Sequence, residues 1–176
     1  MAISKRSASR CANLTKILFL TLTIVFSGFS AINNFSVSKP KSVLAMTKNN
    51  TIAQVLKVAV TGQSNNYTFA VTLSSPDTGC NRYADWWEVI TPQGELLYRR
   101  VLLHSHVDEQ PFTRTGGTVA IEPQQEVIVR VHMSADGYSP MAQKGTVESG
   151  FAAVTLPSEF AVNLESVEPL PGNCAF

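Results

Sequence analysis

Residues 126–133 read EVIVRVHM. Val127, Val129, Val131 and Met133 alternate with Ile128, Arg130 and His132. A period of two sends the first set to one face of a strand and the second set to the other. The β-branched residues at 127, 128, 129 and 131 suit a pleated, half-buried surface better than a helix. Asp136-Gly137 then supplies turn chemistry. The stretch therefore predicts a strand with one wholly apolar face, opposed by a face that carries a guanidinium and an imidazole.

The same period recurs on either side. In residues 67–74, Phe69, Val71 and Leu73 alternate with Thr68, Ala70 and Thr72. Residues 55–60 are a short apolar run ending at Gly62, and the turn residues 62–66 join the two as a hairpin. A second hairpin is expected from WWEVIT at 86–91 and ELLYRRVLLHSH at 95–106, around Pro92-Gln93-Gly94. Residues 107–118 read as a polar loop holding Pro111 and Gly116-Gly117. Residues 119–121 read as a short strand, and 144–155 as a further one. No ten-residue window carries a helical apolar stripe. The expectation is an all-β chain, an antiparallel β-sandwich or barrel. Its core is expected to hold Phe69, Val71, one of the two indoles, Val101, Val127, Val129 and Val131, within a domain at 52–168 followed by a C-terminal strap at 169–176.

The 176 residues suit one domain, and 44% hydrophobic content is enough to fill a core. The net charge of +1 conceals a split. Residues 1–45 hold six basic side chains and no acidic one, so residues 46–176 hold eight against thirteen, a net of −5. That balance argues against a nucleic-acid partner, whose phosphates need clustered Lys and Arg. A basic start followed by the apolar run at 17–31 fits a secretory signal peptide better than a membrane span, which needs about 20 apolar residues. The signal is placed at 1–30, with a later cut after Ala45 as the alternative, and a polar linker covers 31–51. Left uncleaved, this segment would be the chain's one membrane contact. Cys11 precedes the apolar run, so it is not a lipobox cysteine, which would follow it. Export leaves Cys80 and Cys174, an even pair that an oxidising compartment would join.

The most individual wording lies between residues 77 and 138: DTGC, WWEV, YRR, HSH, EQPF, GG and VRVHM. In these motifs the chain resembles a family of uncharacterised exported bacterial proteins. The resemblance implies an immunoglobulin-like or fibronectin-like sandwich and carries no known activity.

All three histidines fall in this region. His104 and His106 stand two apart on the 95–106 strand, so both point to one face, and His132 lies on the 126–133 strand. If those strands adjoin, the three imidazoles with Glu109 would form a site for Zn²⁺ or Cu²⁺, the cofactors that such a set takes. The competing reading makes them hydrogen-bonding braces for the 107–117 loop. Adjacent Trp86 and Trp87 must face opposite ways, so one indole could stack on a sugar beside Tyr83, or both could pack inside. Arg99 and Arg100 split likewise, one of them suited to a cation–π contact with an indole or an ion pair with Glu88. Arg114 reads as an anion-binding ligand residue or a loop salt bridge. No GxSxG, HExxH, CxxC, P-loop or dinucleotide signature occurs, which favours a non-catalytic role. The leading expectation is an exported binding or envelope-structural domain. Metal binding and carbohydrate binding are the alternatives.

Overall fold

A computed structural model describes residues 51–175. The signal-peptide, cleavage-site and linker expectations fall almost entirely on residues 1–50 and so lie outside the described residues. Nine strands follow in chain order: β1 Gln54–Gln63, β2 Asn66–Ser74, β3 Ala84–Ile90, β4 Leu96–Val101, β5 Phe112–Val119, β6 Val127–Met133, β7 Gly137–Tyr138, β8 Met141–Thr146 and β9 Gly150–Thr155. A 3₁₀ turn at Val162–Ser166 lies in the tail.

The expected hairpins form. β1 and β2 pair from Gln54↔Ser74 to Gln63↔Asn66, leaving Ser64 and Asn65 as the turn. Asn65 takes φ 61°, a conformation Asn tolerates better than most residues. A Cβ on Gly62 would lie 2.3 Å from the carbonyl oxygen of Asn66, so this turn requires glycine there. β3 pairs with β4 on one side and with β6 on the other, both antiparallel. β3 is thus an inner strand, and every one of its residues is buried.

The all-β expectation holds, and the strands form one continuous sheet that is not clearly a sandwich. The strands run in one path, β4-β3-β6-β8-β1-β2-β5, with β7 attached to β6 and β9 to β8. The path crosses between its halves at a parallel pairing of Gln54 with Met141, which makes the sheet mixed. Its ends then curl toward each other. A Cβ on Gly116 of β5 would lie 2.5 Å from the Tyr98 hydroxyl of β4. The result is a nearly closed, barrel-like sheet, in which only a glycine at 116 admits the Tyr98 ring at the seam.

Three further expectations change. β4 stops at Val101, so His104 and His106 belong to the following loop, not to a strand. The segment read as polar loop contains β5, whose FTRTGGTV lacks a continuous apolar face yet pairs with β2, helped by the Thr72–Thr113 hydroxyl contact at 2.8 Å. Residues 144–155 divide between the hairpin strands β8 and β9. The core inside the barrel collects Phe69, Val71, Leu73, Trp87, Val89, Val127, Val129 and Val131. Val101 is only partly covered, and the neighbouring Leu102 is buried instead.

Candidate functional site: the outer face of β3 and the loop after β4

Register places the outer face residue by residue. Trp86 stands opposite His132, and Glu88 stands between Arg130 of β6 and Arg99 of β4. All five are buried. Glu88 accepts hydrogen bonds from Arg99 Nε at 2.8 Å and Nη2 at 2.6 Å on one oxygen, and from Arg130 Nε at 2.8 Å on the other. One carboxylate thus faces two guanidiniums, and the surplus positive charge needs acceptors. The tail supplies them as backbone carbonyls. Arg99 donates to Leu164, Val167 and Pro169, and Arg130 donates to Phe160 and Ala161. A small second core of Ile90, Ile128, Ala142, Leu156 and Leu164 backs the same wrap. Its end is pinned by the Cys80–Cys174 disulfide, with a Cα separation of 5.6 Å, and by the Ala175 N–H donating to Leu103.

Aromatic rings fill the rest of the face. Trp86 lies flat on His132 at 3.6 Å, with the Arg99 guanidinium on the indole at 4.5 Å. Arg130 sits 3.4 Å over Tyr138. Burial, with the Glu88 charge nearby, pushes the Tyr138 phenol up to about 12. The arrangement satisfies both alternatives for the arginine pair at once, since Arg99 contacts the indole and pairs with Glu88, while Arg100 is exposed.

Beside this cluster lies a groove of about 510 Å³, lined by Asp85, Trp86, His132, Ser134 and Glu165, with Leu170 and Pro171 of the tail. Asp85 Oδ1 is 2.7 Å from His132 Nδ1, and Glu165 Oε1 is 3.6 Å from Nε2. The Asp85 contact holds the proton on Nδ1 and fixes the ring. Neither register nor composition discloses Glu165, because it arrives from the tail.

The other two histidines sit elsewhere. The backbone N–H of His106 donates to Asp77 Oδ2 at 2.8 Å, and its carbonyl accepts from Gln110. The ring lies flat on Phe112 at 3.8 Å, and the exposed His104 ring is 4.5 Å away. Burial, with the Arg114 guanidinium and the His104 ring nearby, pushes the His106 imidazole below its ordinary value. Glu109 is taken by Arg114 at 2.7 Å. His104 and His106 therefore meet, while His132 keeps a separate set of neighbours. Among the described residues no set of three or more His, Cys, Asp or Glu side chains is arranged to hold a metal. β4 ends five residues before His106, so His104 and His106 lie in the loop after it while His132 stands on β6. The sugar platform also changes character: Tyr83, Trp86 and Trp87 are all buried, since β3 is covered on both faces. Arg114 is a salt-bridge residue that also lies 5.2 Å over Phe112.

The chain is similar to a protein of Halomicrobium mukohataei named "Putative lipoprotein", with 44% identity over 82 residues. The aligned span is 47% of this chain and 40% of that protein, so the chain matches less than half of its relative's length. No family model and no solved structure matches the chain.

Proposed function

We propose that this chain is an exported, extracytoplasmic β-domain that acts by binding or by supporting the cell envelope rather than by catalysis. The observation that carries the reading is the disulfide that ties residue 174 of the tail to residue 80. Such a bridge persists where the environment is oxidising. It secures the segment that covers the charged outer face of β3. The basic and apolar N-terminal stretch and the lipoprotein name of the relative support the same compartment. The binding position on this reading is the groove beside His132. The Asp85 contact leaves Nε2 to meet a ligand there, and Glu165 provides a carboxylate at the rim.

Expression of the full chain in a bacterial host tests the location. The expected result is protein in the extracytoplasmic fraction whose thiols resist alkylation until reduced. Retention in the cytoplasm with Cys80 and Cys174 both open to alkylation would refute the reading. Chemical-shift changes at Trp86 and Glu165 in the wild type that are lost in His132→Ala, during a screen against envelope glycans and small amines, would locate the groove.

A further inference from the structure

We propose that His104 and His106 form a two-imidazole site for a late first-row transition ion, with Cu²⁺ preferred over Zn²⁺, in the loop between β4 and β5. This goes beyond the binding role above and does not depend on it. The first observation is an unmet need. The His106 side chain is 1% exposed, and neither of its ring nitrogens has a hydrogen-bond partner among the described residues. Buried polar atoms are rarely left so. One nitrogen is accounted for electrostatically. Asp77 Oδ2 lies 3.8 Å from Nδ1, too far for a hydrogen bond but near enough to favour the proton on that side. Asp77 is itself fixed by the backbone N–H groups of His106 and Ala84. Nε2 is then left with a free lone pair, the form a metal requires. A carboxylate behind the far nitrogen of a ligating histidine is the usual partner in metal sites.

The second observation is the position of His104. Its ring centroid is 4.5 Å from that of His106. An imidazole bound at ~2.0–2.1 Å puts its ring centre ~3.2 Å from the ion. Two such rings at a right angle have centres ~4.5 Å apart, and at a tetrahedral angle ~5.2 Å apart. With the exposed His104 ring turned so that a nitrogen faces His106 Nε2, a spacing of 4.5 Å is that of cis positions on a tetragonal ion, the geometry of Cu²⁺ with nitrogen and oxygen ligands. Phe112 fixes the His106 ring, while His104 is exposed and able to turn. The two rings line a pocket of about 410 Å³, in which water would complete the set. With only two imidazoles provided, the order of intrinsic affinities decides among ions, and Cu²⁺ stands at its head.

The test is titration of the disulfide-intact full chain with Cu²⁺ and separately with Zn²⁺, by calorimetry, and with electron paramagnetic resonance for copper. One equivalent of Cu²⁺ is expected, with nitrogen hyperfine structure, and Zn²⁺ is expected to bind at least ~10-fold more weakly. His104→Ala removes an exposed ring and should leave the fold intact while weakening Cu²⁺ at least ~10-fold. His132→Ala should leave copper binding unchanged. Absence of saturable Cu²⁺ binding would overturn the proposal. So would copper binding that His104→Ala does not weaken, which would place the ion elsewhere on the chain. Zn²⁺ binding as tight as Cu²⁺ would overturn the tetragonal assignment.

Discussion

Replacing Glu88 with Gln tests the outer face at its centre. The substitution conserves shape and removes one negative charge from between two guanidiniums. Glu88 and Arg99 have side-chain exposures of 0%, and Arg130 of 1%, so water does not enter to compensate. Breaking a buried charge set by removing one partner costs about 3–5 kcal/mol, because the remaining charges stay desolvated. A domain is stable by only ~5–15 kcal/mol in total, so this is a large share. For a chain of this size the expected fall in Tm is roughly 10–20 °C. The wrap should loosen with it, because both arginines that hold its carbonyls lose their anchor. Residues 156–175 contain Glu159, Glu165 and Glu168 but no Lys or Arg, so a glutamate-specific protease reads this loosening where trypsin would not. Thermal and urea unfolding, with timed proteolysis of native protein, provide the assay. A loss below ~1 kcal/mol with unchanged cleavage would refute the reasoning, since that is the range of exposed ion pairs. A companion variant, Glu88→Leu with Arg99→Met and Arg130→Met, replaces the whole set by apolar groups. It should recover most of the unfolding free energy but not the resistance of the wrap, whose carbonyls then lack donors.

Cys174→Ser should destabilise the exported protein by about 4–5 kcal/mol in the chain-entropy treatment, given a sequence separation of 94 between the bridged residues. Urea unfolding of oxidised protein, reduced protein and the variant checks this, with the last two expected to coincide. In metal-free buffer, His106 makes stability fall with acid. Its folded-state imidazole titrates below the ordinary value of 6.5, so the unfolded chain binds the proton more readily. The stability present at neutral pH is therefore lost as pH falls through 6.5 toward the folded-state value. Unfolding curves at pH 7.5, 6.5 and 5.5 should converge more closely in His106→Gln than in the wild type. An unchanged pH slope in that variant would show that another group carries the dependence.

The strand pattern at residues 126–133 was legible because its period of two is uninterrupted, and both faces proved to be as the alternation placed them. The Val127, Val129, Val131 row enters the barrel, while Arg130 and His132 stand on the opposite face. The alternation does not say whether that opposite face meets solvent or protein. Arg99, Arg130, Glu88 and His132 are polar, yet all are buried. What covers them is residues 156–175, which bring few buried side chains and act mainly through carbonyl oxygens, groups that every residue carries and no sequence pattern marks. β5 escaped notice for a related reason. Its pairing with β2 rests on backbone and threonine hydroxyls, and its glycine at 116 serves the Tyr98 ring across the seam rather than a turn. The end of β4 was misplaced because LLHSH continues an alternating pattern that the backbone abandons once Leu102 donates to Asp85 and Asp77 takes the His106 N–H.

That last detail explains why the histidines separate. Asp77 and Asp85 flank the start of β3, and each claims one imidazole: Asp77 lies beside His106 of the loop, Asp85 beside His132 of β6. Two carboxylates on one short stretch thereby stand beside histidines that are 26 residues apart, one in a loop and one on β6. The Asp77 side chain reaches two elements, since besides the His106 N–H it accepts the Ala84 N–H at 3.0 Å, so it couples the loop after β4 to the entry of β3. The Asp85 side chain meets an imidazole stacked on Trp86, whose other side bears Arg99 and hence the wrap. A ligand at the His132 groove would therefore act on the tail, through Glu165 directly and through the Trp86–Arg99 stack, while an ion at His104 and His106 would act on the loop that carries the Leu103 contact to Ala175. The first route ends on the carbonyls of Leu164, Val167 and Pro169, and the second on Ala175, beside the Cys174 disulfide that holds the end of the wrap.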